Sequence, residues 1–292
     1  MRTFVAIEVS DQNVLNSIRQ VQTELNIKAK PVELHNMHFT VQFLGEISEY
    51  ILKAFLLREK DERREDTIFG KITELSDDGE LENATWQKKA ESSLKKFDYH
   101  KIEKILGIGK SNPGAKADVS VNNVRYSVKE INFAPPAILN HTPRNGFENV
   151  CERIGAQIDT LDSIIDEYWE KRIEGKITQD VSNSNEISPF LKHKKYLKPI
   201  INYFLFTGTG SKDSNFPADK VLLVKYKDLP EGLEIIKKED YFESIWKHLV
   251  FSLRSKGMPP SYEHGNNEYE SVRCWTKLKD GRYKGALHIR VR

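Results

Sequence analysis

Residues 109–129 read GKSNPGAKADVSVNNVRYSVK, and this stretch predicts a β-hairpin with charged side chains at its base. Residues Asp118–Val121 and Arg125–Ile131 alternate between apolar and polar side chains, as two half-buried strands do. Between them, Val121-Asn122-Asn123-Val124 has the composition of a tight two-residue turn. The stretch therefore predicts two adjacent antiparallel strands in a larger sheet.

Three side chains of this hairpin have the chemistry that phosphodiester hydrolysis needs. Eight residues separate Asp118 from Ser127, and Lys129 follows two positions later, so all three converge at one end of the sheet. A carboxylate such as Asp118 binds a hard divalent cation, which polarises a phosphate and activates water. A lysine beside it stabilises the developing negative charge. The alternative is a surface hairpin with an exposed acid and an exposed lysine.

The hairpin and its lead-in, Gly114–Asp118, resemble the core of the PD-(D/E)xK nuclease superfamily, and within it the type II restriction endonucleases. Residues 135–147 and 208–219 are also similar to restriction-enzyme segments. The resemblance implies that Asp118 binds Mg²⁺, that Lys129 is the catalytic lysine, and that double-stranded DNA is cut at specific sites. It also implies a homodimer and a cognate DNA methyltransferase.

One position departs from the family's pattern, because Ser127 stands where the second acid of the (D/E)xK element is usual. We keep Ser127 as a catalytic candidate. Some family members take the missing carboxylate from a neighbouring helix. The possible replacements are Glu148 and Glu152 on the following helix, with Glu148 as a catalytic candidate, and Glu91 on the preceding helix as a metal ligand. Glu130 ranks lower because it points to the opposite face of its strand. The sequence alone leaves this choice open.

DNA contacts are expected from residues outside the hairpin. Asn140, His141 and Arg144 follow the core strand, and Arg144 is placed to bind a phosphate near the cut. A basic hairpin from Trp275 to the C-terminus offers Arg282 and Lys284 to a groove of the DNA. The alternative for that hairpin is a basic edge strand protected against aggregation. A non-catalytic DNA-binding relic of a nuclease also stays open.

The N-terminal segment carries a different motif. A strand and a helix precede His38-Phe39-Thr40, which runs into Phe43-Leu44-Gly45-Glu46. This order and spacing resemble the 2H phosphoesterases, the family of 2′–5′ RNA ligases and RNA 2′,3′-cyclic phosphodiesterases. That family uses two H-x-T/S motifs, one per lobe, as general base and general acid. No histidine other than His38 has Ser or Thr two residues later, so we expect a partial module with His38 and Thr40 as an alternative site.

Composition limits the class of protein. Apolar residues make up 38%, charged residues 30% and aromatic residues 10% of the 292 residues, which indicates a globular rather than a disordered chain. No apolar run approaches the roughly 18 residues of a membrane span. Two cysteines form no disulfide framework, so a cytoplasmic location without membrane contact is expected. The net charge of +2 neither demands nor excludes nucleic acid.

The predicted fold class is α/β, with a mixed, restriction-endonuclease-like sheet of about five strands flanked by helices. A small βαβ-like half-lobe is expected at residues 1–47, and the nuclease domain with its basic hairpin at residues 48–292. Hydrophobic periodicity predicts the other elements. These are helices at 13–25, 49–64, 83–97, 146–171 and 241–253, and strands at 3–9, 39–44, 202–207 and 220–226.

Overall fold

The computed structural model describes residues 4–8, 11–24, 38–43, 47–112, 114–130, 137–254, 275 and 284–292. The chain divides into two compact units, Met1–Ser48 and Glu49–Arg292. The division falls one residue from the boundary expected from the sequence. Of the helices in the described ranges, none has the length and apolar character needed to cross a membrane.

The first unit has a strand–helix–strand order. Strands β1 (Phe4–Glu8) and β2 (His38–Phe43) pair antiparallel, and helix α1 (Gln12–Glu24) lies between them in the sequence. Asp11 precedes the helix, and its Oδ1 accepts hydrogen bonds from two backbone N–H groups of the first turn at 2.9 and 3.0 Å. Such a cap satisfies donors that have no partner inside the helix. The two strands and the helix predicted for this segment are confirmed.

The second unit contains the remaining elements, apart from the first two residues of its first helix, which belong to the first unit. They are α2 (Ile47–Asp61), β3 (Leu75–Ser76), α3 (Glu91–Lys95), α4 (Tyr99–Leu106), β4 (Val119–Val121), β5 (Val124–Glu130), β6 (Ala137–Thr142), α5 (Arg144–Ile154), α6 (Ile158–Ile173), β7 (Asp180–Ser182), α7 (Lys194–Asn202), β8 (Lys220–Val224), β9 (Leu233–Ile236), α8 (Lys238–Ile245), β10 (Leu249–Arg254) and β11 (Ala286–Val291).

Two sheets organise this unit. The first has the order β3-β4-β5-β8-β9, with β5 and β8 parallel and the other neighbours antiparallel. The second has the order β6-β11-β10-β7 and is antiparallel throughout. Helices accompany both sheets. The predicted α/β class with a mixed sheet is therefore confirmed, and the first sheet has the expected five strands.

The predicted hairpin is present as β4 and β5. Val121 pairs with Val124, and the two residues between them have positive φ angles, 51° at Asn122 and 64° at Asn123. This is the backbone of a type I′ turn, in which asparagine is tolerated at left-handed positions. Asn122 also ties the hairpin to residues before β3, because its Oδ1 accepts from the Thr73 backbone N–H at 2.9 Å.

The strand predicted at 202–207 is wrong. The residues Tyr203–Thr207 instead form a π-helical turn that continues α7. Four of its five residues, Tyr203–Phe206, are buried. A short apolar run that is buried on every side has no periodicity to distinguish a strand from a helix, and this explains the error.

The helix predicted at 241–253 is also wrong in its second half. Helix α8 ends at Ile245, a 3₁₀ turn covers Trp246–His248, and β10 follows. Strand β10 is central, with β11 on one side and β7 on the other. Because both of its faces are buried, its residues form a continuous apolar run that resembles a core helix.

Three further predictions need correction or fall outside the description. Residues 83–97 form 3₁₀ turns and the short α3 rather than one helix. The helix predicted at 146–171 is two helices, because Gly155 adopts φ = 70° and ends α5. In the C-terminal hairpin, residues 276–283 lie outside the described residues, and β11 pairs with β10 and β6.

One hydrophobic cluster connects the helices to both sheets. It includes Trp169 of α6, Val221 of β8 and Phe251 of β10. Phe190 stacks on Phe251 with the ring centroids 4.1 Å apart. Phe204 and Leu205, from the π-helical turn, belong to the same cluster and form one wall of the pocket described next.

Candidate functional site

A cavity of about 180 Å³ lies at the base of the β4–β5 hairpin. Its polar lining consists of Lys116, Asp118, Ser127 and Lys129, and its other lining residues are Ala115, Ile138, Phe204 and Leu205. The structure therefore brings together the three hairpin residues that the sequence selected. It adds a second lysine, Lys116, that sequence reasoning missed.

Strand geometry explains why these side chains meet. The Asp118 backbone N–H donates to the carbonyl oxygen of Tyr126 at 2.8 Å, which continues the β4–β5 ladder by one residue. Asp118 Oδ2 then accepts from the backbone N–H of Val128 at 2.6 Å. Ser127 and Lys129 share one face of β5 because side chains alternate along a strand. Lys129 Nζ donates to Ser127 Oγ at 2.8 Å, so the serine orients the lysine.

Burial and proximity change the pKa of each charged group here. The pKa of Asp118 is raised to about 6, mainly by burial and also by the nearby Glu49 carboxylate, although the charge of Lys129 opposes the shift. Burial also lowers the pKa of Lys129, against the attraction of Asp118. Burial and the charge of Lys129 lower the pKa of Lys116 to about 8. Clustered perturbed groups in a cleft are typical of functional sites.

Glu49 is a second acid close to Asp118, and it was not among the predicted site residues. It lies in the first turn of α2. Glu49 Oε1 accepts from the backbone N–H of Ser111 at 2.9 Å and lies 3.0 Å from Ser111 Oγ. That hydroxyl also lies 2.9 Å from the carbonyl oxygen of Asp118, so Ser111 connects the two acids. The available sequence signal was the i,i+4 spacing of Glu49 and Lys53 on a helix.

Lys53 forms an ion pair with Glu49 one helical turn further along α2. Its side chain is fully buried, and its Nζ lies 2.8 Å from Glu49 Oε1 and 2.6 Å from Asp77 Oδ2. It also donates to the carbonyl oxygen of Gly109 at 2.9 Å. Although burial lowers the pKa of Lys53, the two carboxylates raise it above its usual value. Lys53 of helix α2 is therefore bonded to the loop before β4 through the carbonyl oxygen of Gly109.

Two of the acids proposed from the sequence as the second carboxylate, Glu148 and Glu91, form ion pairs with other residues. Glu148 Oε1 accepts from Arg144 Nη1 at 3.1 Å. Glu91 lies 3.5 Å from Arg58 and 3.3 Å from Lys95. None of Glu148, Glu152 and Glu91 lines the pocket. Glu130 likewise is not part of the lining, in agreement with its expected orientation away from Lys129.

Arg144 has a different environment from the exposed phosphate contact that the sequence predicted. It begins α5, and its buried guanidinium binds Asp162 with Nε–Oδ1 and Nη2–Oδ2 distances of 2.9 and 2.6 Å. Trp275 Nε1 donates to the same carboxylate at 2.6 Å. In this arrangement Arg144 holds helices α5 and α6 together and is not presented to a ligand.

Of the other predicted DNA contacts, Lys284 lies among the described residues. The side chains of Asn140 and His141 and the whole of Arg282 lie outside the described residues. Lys284 is half-buried, and its carbonyl oxygen accepts from the Trp275 backbone N–H at 2.7 Å. The backbone of His38 and Thr40 lies in β2, with His38 opposite Glu8, and their side chains are outside the description.

The pocket's donor atoms suit a hard cation that keeps part of its water shell. No cluster of three His, Cys, Asp or Glu able to bind a metal occurs among the described residues. Mg²⁺, however, is usually bound through one or two carboxylates together with substrate phosphate, and it retains several waters. Asp118 supplies one carboxylate on the pocket wall, and Glu49 is a second within electrostatic reach. The residues present fit Mg²⁺ on this ground.

Comparison with known proteins gives one partial match. Over 57 residues this chain is 42% identical to the RNA 2′,3′-cyclic phosphodiesterase of Methanocaldococcus jannaschii. The matched stretch is 19% of this chain and 32% of the other protein, so the chain spans about a third of that relative's length. No family model and no solved structure matches. The match supports the resemblance to cyclic phosphodiesterases and provides no support for a relationship to restriction endonucleases.

Proposed function

We propose that the second unit is a metal-assisted phosphodiester hydrolase that cuts double-stranded DNA at specific sites, as a type II restriction endonuclease does. The observation that carries the proposal is the meeting of Asp118, Ser127 and Lys129 in one pocket, with Glu49 beside it. An acid and a lysine on adjacent strands are what the resemblance to PD-(D/E)xK nucleases requires.

Each residue has a distinct task in the proposed reaction. The Lys129 ammonium, oriented by Ser127, binds a non-bridging phosphate oxygen and stabilises the charge that develops as water attacks phosphorus. One phosphorus–oxygen bond forms to the water oxygen and another breaks, and one of the two water protons is transferred to the leaving oxygen while the other stays on the new phosphate hydroxyl. Asp118 and Glu49 would hold Mg²⁺ with their carboxylates. Bound Mg²⁺ supplies Lewis-acid activation of the phosphate and of water.

The direct experiment incubates unmethylated phage DNA with the purified chain, with Mg²⁺ or with EDTA. We expect discrete fragments only with Mg²⁺, and we expect Lys129→Ala or Asp118→Asn to lower the rate by about 10²-fold or more. Lys225→Ala is the matched control, because Lys225 is exposed and lies just beyond β8. Intact DNA in every lane would overturn the proposal. Equal cleavage by wild type and Lys129→Ala would do the same, because the activity would then come from a contaminant.

The resemblance extends the proposal to partners. A homodimer would place two such pockets on the two strands of a palindromic site. A cognate methyltransferase would protect the host's copies of that site. Light scattering of the purified chain tests the dimer, and a monomer at all concentrations would contradict it.

A second candidate function belongs to the first unit, and the comparison with known proteins favours it over a restriction endonuclease. The unit would open RNA 2′,3′-cyclic phosphates with His38 as the general acid or base and Thr40 beside it. Its support is the 42% identity to the Methanocaldococcus jannaschii enzyme and the His38-Phe39-Thr40 motif. The absence of a second H-x-T/S motif counts against it.

The test of this candidate uses an RNA oligonucleotide ending in a 2′,3′-cyclic phosphate, with EDTA present. Ring opening that survives EDTA and is lost in His38→Ala, but not in His248→Ala, would establish it. His248 is a suitable control because it is exposed and lies in a 3₁₀ turn of the second unit. No ring opening by the wild-type chain would refute the candidate without bearing on DNA cleavage.

A further inference from the structure

We propose that Lys116 is a second phosphate-binding residue of the hairpin pocket, and that Lys116 and Lys129 together form a subsite for one phosphate group of the substrate. The inference deepens the proposed nuclease function by naming how the pocket holds the substrate's anionic group. It rests on the charges and contacts of the pocket and needs no bound metal.

The pocket has an excess of positive charge. Its lining holds two ammonium groups, on Lys116 and Lys129, and one carboxylate, on Asp118, while its other lining residues are uncharged. Glu49 is not part of this lining, and its carboxylate lies 2.8 Å from the buried Lys53. Two half-buried ammonium groups that repel each other are unfavourable in a site of low dielectric. A bound anion removes that cost.

The two lysines differ in their partners. Lys129 donates to Ser127 Oγ at 2.8 Å. The Lys116 side chain, in contrast, makes no hydrogen bond with another described residue, and Asp118 attracts it only at longer range. A half-buried cation that shares the one carboxylate of the pocket lining with a second lysine is best explained by a ligand, since buried charges are normally paired.

Backbone contacts hold Lys116 at the rim. The backbone N–H groups of Lys116 and Ala117 both donate to the carbonyl oxygen of Phe216 at 3.0 Å. Ser214 Oγ donates to the carbonyl oxygen of Gly114 at 2.8 Å, so the segment before β4 is attached to the loop before β8. The lysine therefore extends from an ordered backbone, which lowers the entropic cost of binding.

The size of the cavity suits a phosphoryl group. Liquid water occupies about 30 Å³ per molecule, so a cavity of about 180 Å³ has room for a phosphate and some of its waters. Lysine binds phosphate as a point charge with three donors. Ser127 Oγ, buried in the wall, adds a hydroxyl group to this subsite.

The first experiment uses the wild-type chain, so that it does not depend on the folding of a variant. Lysines are acetylated with N-acetoxysuccinimide at matched ionic strength, with inorganic phosphate or with chloride alone, and each modified residue is measured by mass spectrometry. We expect phosphate to slow acetylation of Lys116 and Lys129 but not of the exposed control Lys227. Equal rates for Lys116 with phosphate and with chloride would overturn the inference.

The second experiment identifies the occupant. Binding of a fluorescent DNA duplex is measured in EDTA over a range of salt concentrations for the wild type, Lys116→Gln, Lys116→Arg and the control Lys227→Gln. Loss of one phosphate contact should reduce the slope of log Kobs against log[salt] by about 0.9 in Lys116→Gln only. An unchanged slope would exclude a DNA phosphate from this subsite. Phosphate protection without DNA binding by the wild type would uphold the subsite and defeat the proposed DNA substrate, so the two failures are distinguishable.

Discussion

The buried Lys53 ammonium should be essential to the stability of the second unit. Its side chain is fully buried, and the Asp77 carboxylate that it contacts at 2.6 Å is almost as inaccessible. Lys53→Met keeps the volume of the side chain but leaves the Asp77 carboxylate buried and without its cation. Removing one partner of a buried ion pair costs about 3–5 kcal/mol. In a unit of this size, that corresponds to a fall in Tm of about 6–20 °C.

A double variant separates the ion pair from packing. In Lys53→Met/Asp77→Asn no buried charge is left at residue 77, and Asn Oδ1 can still accept from the backbone N–H groups of Gly79 and Leu81 as Asp77 Oδ1 does. Replacing both charges of a buried pair is often close to neutral. We therefore expect the double variant to regain at least half of the stability that Lys53→Met loses.

Urea unfolding followed by tryptophan fluorescence measures these differences, with the exposed Lys104→Met as control. The control should stay within about 0.5 kcal/mol of wild type. A loss below about 1 kcal/mol in Lys53→Met would refute the reasoning. So would a double variant that is as unstable as the single one, since the defect would then lie in packing rather than in the unpaired carboxylate.

Three further predictions concern the surroundings of the site. A Cβ at Gly210 would lie 2.9 Å from the Cα of Gly146, so Gly210→Ala should destabilise the unit by about 1–3 kcal/mol in urea unfolding, and an unchanged midpoint would contradict this. Asn123 has φ = 64°, so Asn123→Val should cost about 1–2 kcal/mol while Asn123→Gly should not, and equal losses would show that the turn geometry is irrelevant. Burial raises the pKa of Asp219, but hydrogen bonds from Arg125 outweigh it and hold the pKa below its usual value. The stability that this adds is present above the unfolded pKa of about 4 and is lost as the pH falls through the folded value, so Asp219→Asn should be less stable by up to about 1 kcal/mol at pH 7 and equal to wild type in acid. A stability gap that is independent of pH would refute the ionic explanation.

The hairpin could be predicted because its determinants are local. Two asparagines favour a two-residue turn, and the period-two alternation of a strand then places Ser127 and Lys129 on one face. Once the turn is set, the register places Asp118 across from Ser127 at the open end of the hairpin, so its side chain lies on the same face. The approach of Asp118, Ser127 and Lys129 thus follows from a stretch of 12 residues, 118–129, without knowledge of the rest of the chain.

The buried apolar runs could not be assigned from the sequence. Tyr203–Phe206 became a π-helical turn and Leu249–Leu253 a strand, although both are short and apolar. Periodicity reports which face of an element meets water, and an element buried on all sides has no such face. Strand β10 exists because β11 and β7 lie on either side of it, and that is a property of the whole sheet.

By itself, the sequence determined the α/β class, the hairpin and the pairing of an acid with a lysine at its base. Only the tertiary structure decided what surrounds them: Glu49 from a distant helix, Lys116 at the rim, and the wall formed by Phe204 and Leu205. It also decided that Arg144 and Glu148 form an ion pair and do not line the hairpin pocket. The physical reason is the distance along the chain over which each effect acts. Turn and strand preferences act between neighbouring residues, whereas the choice of a second carboxylate depends on which helix packs near the pocket.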